Sequence, residues 1–255
     1  MTQMLIDAGN TRLKWCLLRG RKVTRVQALA WSEARAAHVA RRIMSSGSGV
    51  TRILVCSVAG ARLERALRVA ARAARLPAPL FIRSARRAAG VRNGYVDPWR
   101  LGADRWVALI GARALVPERA LCVVDIGTAL TLDLLDDSGR HRGGLLLPGP
   151  TLMVDALLRQ TAGIRRRAQQ PSARRAANVF ARSTRGGLQA GSELAAAALI
   201  ERAMHEARSL LGRKPQLLLA GGGAARVAAR LGIAVRREET LVLKGLAVLA
   251  AGHCG

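Results

Sequence analysis

Two short stretches decide the fold: Asp7-Ala8-Gly9-Asn10-Thr11 and Asp125-Ile126-Gly127-Thr128-Ala129. Each ends an apolar run (residues 4–6 and 121–124) and opens onto another (13–18 and 130–135). In both places a polar turn follows, at 19–22 and at Asp136-Asp137-Ser138-Gly139, and then a third strand pattern, at 23–29 and 143–147. The order strand, Asp-x-Gly-Asn/Thr, strand, turn, strand thus occurs twice, about half the chain apart. The offset from each aspartate to the glycine of the following turn, Gly20 or Gly139, differs by a single residue. That agreement reads as an internal duplication of a β-rich α/β domain.

The remaining patterns alternate in the same sense. Helical periodicity is expected over 32–44, with Ser32 as N-cap and Glu33 in the first turn, and over 61–75, stopped by Pro77 and Pro79. Further helices are expected over 104–115, 151–161, 188–211 and 241–251, with strands at 53–58, 80–82 and 217–219 and an irregular loop at 93–101. Pro117-Glu118-Arg119 is the expected join, giving domains of 1–116 and 117–255.

Composition narrows the class. The chain has 255 residues, half of them apolar, so each half can bury a core. The longest stretch free of Asp, Glu, Lys and Arg covers 143–154, short of the roughly 20 residues a membrane helix needs. The first apolar residues meet Asp7 at once, so no secretory signal is expected. Four cysteines, at 16, 56, 122 and 254, show no CxxC pairing, and only Cys254 has a histidine beside it, at 253, which fits a reducing cytoplasm. Lys+Arg of 42 against Asp+Glu of 16 gives a formal charge of +26. The arginines are spread along the chain, and aromatics for base stacking are scarce: four Trp, two Phe and one Tyr. The densest cluster, Arg165-Arg166-Arg167 with Arg174-Arg175 around Gln169-Gln170-Pro171-Ser172, has no aromatic beside it. Specific nucleic-acid binding is therefore not expected, and attraction for anionic small molecules is the better use of the charge.

The repeated turns carry the chemistry. Glycine lets backbone N–H groups approach phosphate oxygens, and Asn10, Thr11 and Thr128 can donate to them while Lys14 adds a point charge. Asp7 can hold a hydrated magnesium, which takes one or two carboxylates and keeps several waters. A single Asp-x-Gly is a common turn; two at matching offsets point to a phosphate site. No G-x-x-x-x-G-K-[ST] is present, so a P-loop enzyme is not expected, and no G-x-G-x-x-G follows the first strand. The glycines 221–223 either admit an adenosine or make a tight turn. Phosphoryl transfer also needs a group to orient and deprotonate the acceptor. Asp104, at the start of a helix, is either that base or an N-cap; Arg105 is either an anion clamp or a surface arginine. Tyr95 can contact a substrate or pack, Thr184 can contact a ligand or cap the helix near Leu188, and His141 and His205 read as surface residues.

These residues resemble a known family. Asp7-Ala8-Gly9-Asn10-Thr11-Arg12-Leu13-Lys14-Trp15 is similar to the first phosphate motif of the type III pantothenate kinases, which include the Bvg accessory factors. Tyr95-Val96-Asp97-Pro98 with Leu101-Gly102-Ala103-Asp104-Arg105 resembles their acceptor motif, and Asp125-Ile126-Gly127-Thr128-Ala129-Leu130-Thr131-Leu132-Asp133 their second phosphate motif. Gly143-Gly144, Pro148-Gly149, Ser183-Thr184, Gly221-Gly222 and Lys244-Gly245-Leu246 follow in the family's order, with Ala220 where a threonine is common. The resemblance implies a duplicated acetate and sugar kinase/Hsp70/actin-like (ribonuclease H-like) fold, with mixed sheets flanked by helices. It implies a cytoplasmic homodimer that uses ATP and magnesium to phosphorylate pantothenate to 4′-phosphopantothenate, the first step toward coenzyme A. By position, residues 7–14 would contact ATP and Thr128 its phosphates. Asp104 would be the proton acceptor, Gly102, Ala103, Arg105, Tyr95 and Thr184 would face pantothenate, and Asp125 would bind potassium or ammonium. A kinase of the same architecture for another small hydroxyl compound, and a non-catalytic nucleic-acid-binding regulator of that fold, are the alternatives.

Overall fold

The computed structural model describes residues 1–169 and 179–252. Residues 170–178, with Arg174 and Arg175, and Cys254 lie outside the described residues. The chain divides into two compact units, Met1–Glu118 with Asp137–His141 and the C-terminal stretch from Thr240, and Arg119–Asp136 with Arg142–Glu239.

The first unit holds β1 (Thr2–Ala8), β2 (Arg12–Arg19), β3 (Lys22–Val23), β4 (Gln27–Ala30), α1 (Ala36–Met44), β5 (Val50–Ser57), α2 (Ala61–Ala73), β6 (Pro79–Ile82), β7 (Arg87–Ala88), β8 (Val91–Arg92) and α3 (Ala103–Leu115). Its main sheet runs in the order β3-β2-β1-β5-β6, with β4 also on β2. β1 is antiparallel to β2 and parallel to β5, and β5 is parallel to β6. Strand alternation gives the sheet two faces. Met4, Ile6, Ala8, Leu13, Trp15, Ile53 and Val55 pack under the apolar stripes of α1 (Val39, Ala40, Ile43) and α2 (Leu63, Leu67, Ala71). The alternate positions, Leu5, Asp7, Lys14 and Cys56 among them, belong to the other face.

Two local expectations are corrected. The strand expected at 23–29 is broken, because the Thr24 hydroxyl accepts the Leu17 N–H at 2.9 Å and takes the place of a ladder carbonyl. Ser32 makes no side-chain capping bond; a 3-10 turn at Glu33–Arg35 leads into α1 instead.

The second unit holds β9 (Leu121–Ile126), β10 (Ala129–Leu135), most of β11 (His141–Pro148), α4 (Pro150–Gln160), α5 (Ala162–Ala168), α6 (Thr184–Leu211), β12 (Gln216–Ala220), α7 (Ala224–Ala228) and β13 (Arg236–Arg237). Its sheet order, β11-β10-β9-β12-β13, repeats the first: β9 is antiparallel to β10 and parallel to β12, and β12 is parallel to β13. The duplication is thus realised along the five-strand path of each sheet, with β4 an addition in the first. Ser183, one residue before the expected Thr184, caps α6 by accepting the Gly186 N–H at 3.2 Å. Gly212, at φ +66°, ends that helix in the left-handed conformation glycine favours. Arg165, in the basic cluster, donates to the carbonyls of Leu158 (2.8 Å) and Arg159 (2.7 Å) near the end of α4.

The last helix, α8 (Leu241–Ala250), returns to the first unit and packs on α3. The two backbones meet at glycines: a Cβ on Gly111 would overlap Leu241 O, and one on Gly245 would overlap Val107 O. Together α3 and α8 pack against β1 and β5.

Candidate active site

In the first unit the turn between β1 and β2 is closed by Gly9 N–H donating to Arg12 O at 3.1 Å. It is braced from outside by the Trp31 indole N–H, which donates to Gly9 O at 2.9 Å. Ala8 and Leu13 are buried in the core, so only their backbone is available to a ligand, whereas Asn10, Thr11 and Arg12 are exposed. Asp7 and Lys14 are half-buried and directly opposite each other across β1 and β2. On its other side Asp7 pairs in register with Cys56 of β5.

Cys56 connects this turn to the acceptor motif. Its thiol is held well above the usual 9.0, first by burial, then by the negative charges of Asp7 and Asp104, with Arg83 opposing. Both carboxylates therefore act on one buried thiol. Asp104 is half-buried in the first turn of α3, and its Oδ1 accepts the Arg105 N–H at 2.8 Å. Gly102, not Asp104, holds the N-cap position, which removes the N-cap reading of Asp104. A Cβ at Gly102 would lie 2.6 Å from Asp104 Oδ1, so the glycine makes room for the carboxylate, while Ala103 is buried in the core.

Arg105 is not a surface arginine. It is buried, its Nη1 donates to the Tyr95 hydroxyl at 2.8 Å, and its guanidinium carbon lies 5.5 Å from the ring centroid. The loop that carries Tyr95 is tied by Asn93, whose Nδ2 donates to Pro98 O (2.9 Å) and Ala85 O (3.2 Å) and whose Oδ1 accepts the Tyr95 N–H at 3.0 Å. His141 corrects a second expectation: it is buried and stacked on Tyr95, and only His205 is exposed as expected. Sequence reading missed both Asn93 and His141. An Asn two residues before the lone tyrosine is a usable turn signal; nothing local marks His141.

In the second unit the turn is one residue shorter: Gly127 N–H donates to Ala129 O at 3.0 Å, and Thr131 rather than a lysine stands opposite Asp125. Thr128 is exposed on this turn, and its carbonyl accepts the Gly149 N–H at 2.8 Å. Gly149 has no room for a Cβ against Gly127 O. The glycine run 221–223 packs on the same turn: a Cβ at Gly221 would overlap Asp125 Oδ1 and lie 2.5 Å from Ile126 O, and one at Gly223 would lie 2.6 Å from Ile126 Cγ2. Gly221 and Gly223 thus serve the tight turn, whereas Gly222 faces open space. Thr184, the first residue of α6, lines an apolar groove with Met153, Val154, Leu157 and Leu188. The structure brings Asp7, Lys14, Asp104, Arg105 and Tyr95 together in one unit, and Asp125 and Thr128 in the other, with Thr184 on a separate groove there.

The sequence model of the type III pantothenate kinases matches residues 3–206. The chain belongs to that family. Type III pantothenate kinases of Aromatoleum aromaticum and Herminiimonas arsenicoxydans are similar to it along almost their whole length. The first is 42% identical, with 97% of each chain covered, and the second 39%, with 97% of this chain and 96% of the relative covered. Among solved structures, a Baf family protein of Campylobacter jejuni is similar with a TM-score of 0.58 at 18% identity, over 95% of this chain and 94% of that one. The Clostridium difficile activator of 2-hydroxyisocaproyl-CoA dehydratase, solved with bound ADPNP, is similar with a TM-score of 0.50 at 11% identity, over 98% and 94%. These likenesses place the type III pantothenate kinase chain in the actin-like, acetate and sugar kinase fold class. Among the described residues no helix is long and apolar enough to cross a membrane.

Proposed function

We infer that this chain catalyses the ATP-dependent phosphorylation of pantothenate to 4′-phosphopantothenate, the first step of coenzyme A biosynthesis. Family membership supports the reaction. The observation that carries its assignment to particular residues is the placement of Asp104 in the first turn of α3, with its Oδ1 held by the Arg105 N–H and that arginine bonded to Tyr95.

Asp104 accepts the proton of the primary hydroxyl as that oxygen attacks the γ-phosphorus of ATP in line with the leaving ADP oxygen. Arg105 and Tyr95 orient pantothenate with Gly102, Ala103 and Thr184, the arginine offering a charged donor to its carboxylate. The first turn, residues 7–14, and Thr128 of the second contact ATP and its phosphates, with Lys14 and backbone N–H groups offsetting negative charge. Asp7, half-buried near the end of β1 beside the glycine turn, supplies one carboxylate of the one or two that a hydrated magnesium takes. Bound there, the ion would neutralise charge on the phosphoryl oxygens.

Asp125 is the residue for a monovalent cation, potassium or ammonium. Its half-buried carboxylate, at the end of β9, is an oxygen donor of the kind such an ion takes. A homodimer in the cytoplasm completes the reading. The exposed apolar side chains of Leu145, Leu146, Leu157 and Phe180 in the second unit are compatible with burial against a second copy.

The test is ADP release by the purified protein with Mg-ATP and potassium, with and without pantothenate. Pantothenate-dependent ADP formation is expected in the parent and a loss of about 100-fold or more in Asp104→Asn, which keeps size and folding. Near-parental turnover in Asp104→Asn would remove Asp104 as the base, and no pantothenate dependence in the folded parent would remove the acceptor.

A further inference from the structure

Tyr95 stands on an irregular loop, yet it is held at three points. Asn93 Oδ1 accepts its N–H, Arg105 Nη1 donates to its hydroxyl at 2.8 Å, and the His141 imidazole stacks on its ring, with centroids 5.7 Å apart and planes 18° from parallel. His141 is 1% exposed. It arrives from the turn between β10 and β11, and that turn is anchored within the first unit. The Arg92 N–H donates to Gly139 O at 2.8 Å, and residues 92 and 140 form a parallel bridge. Gly139, at φ +85°, approaches Gly90 so closely that a Cβ would overlap Gly90 O. Four residues of the second sequence repeat thus lead to a histidine lodged behind the acceptor motif of the first.

We propose that His141 is a positioning residue for the acceptor pocket: stacked on Tyr95, it fixes the plane of the phenol so that its hydroxyl meets Arg105. The proposal rests on the reading of Tyr95 and Arg105 as pantothenate contacts. A tyrosine on a loop can turn about both side-chain torsions. The bond from Arg105 fixes one point, the hydroxyl, and leaves the ring free to swing about it. A flat π surface against one face removes that freedom, and offset-stacked rings attract each other beyond their shared area. Arg105 is itself buried, so a displaced phenol would also leave a buried donor without this acceptor.

The experiment compares His141→Ala with His141→Phe, which keeps a flat ring and removes the ring nitrogens. In His141→Ala the KM for pantothenate should rise about three- to tenfold, the worth of one stacked aromatic pair. The KM for ATP and kcat should stay within about twofold, and His141→Phe should recover most of the loss. A second readout needs no turnover. Tyr95 is the only tyrosine, so ring-labelled tyrosine gives one set of NMR signals. Those signals should lose their ring-current shift in His141→Ala and keep one in His141→Phe. Unchanged KM and unchanged Tyr95 signals in His141→Ala would overturn the proposal, as would a phenylalanine variant that behaves like alanine in both. If the alanine variant does not fold, His141→Leu, which fills the space without a π face, replaces it under the same outcomes. Absence of pantothenate-dependent turnover in the parent would sink the acceptor assignment instead, and the NMR comparison would still decide whether His141 holds Tyr95.

Discussion

Gly102 lies where a Cβ would be 2.6 Å from Asp104 Oδ1, and that oxygen also accepts the Arg105 N–H at 2.8 Å. The glycine therefore sets where the carboxylate can rest. In Gly102→Ala the atom met is the end of a flexible side chain, so the fold should adjust easily while the carboxylate moves. We expect kcat to fall by about 10- to 100-fold with little change in thermal stability, because sub-ångström placement of a base governs rate. Kinetics beside a melting curve check this; a fully active variant would show that Asp104 needs no defined seat.

The glycine contact between α3 and α8 predicts the reverse pattern. In Gly245→Ala the new methyl meets the Val107 carbonyl, which is backbone in a packed helix and cannot rotate away. Stability should drop by about 1–3 kcal/mol, read as a lower melting temperature or denaturant midpoint. Retained stability would mean that α8 can lift off α3 at little cost.

Asp125→Ala tests the cation. Residual activity that no longer responds to potassium is expected, since the variant removes the carboxylate proposed to hold the ion. A potassium response like that of the parent would clear Asp125 of this role.

The buried thiols predict a pH window. Burial raises Cys16 from 9.0 to about 11, and burial followed by Asp133 raises Cys122 to about 12, while burial, then Asp7 and Asp104, holds Cys56 well above 9.0. Raised folded-state values mean that the unfolded chain loses these protons first. The contribution to stability is thus complete below pH 9 and is lost as pH climbs through about 11 to 12. In a Cys254→Ser variant at pH 8, a thiol reagent should find almost no reactive cysteine until denaturant is added, because the thiolate is the reacting form. Fast labelling of the native protein would contradict the burial of these three residues.

The duplicated Asp-x-Gly turns were legible in the sequence because a hairpin is local. An apolar strand, a polar turn and a second apolar strand lie within about a dozen residues, and their alternation is written directly in residue type. Most helices were legible for the same reason, and so was the opening of α3 beside Asp104. What the chain order could not express is which residues meet after long excursions. His141 carries no motif and looks like a surface residue. It becomes buried only because Gly139 docks on Gly90 and brings the turn up to Tyr95. Arg105 looks like a solvated helix arginine until the same fold supplies the phenol it bonds. The extra residue in the first turn, which puts Lys14 rather than a threonine opposite its aspartate, appears only as strand register. The sequence by itself determined the repeated architecture and the chemistry of the motifs, since both depend on neighbours along the chain. Only the tertiary structure decided that Tyr95 meets Arg105 and His141 and that α8 closes on α3, because those relations are set by packing between segments far apart in sequence.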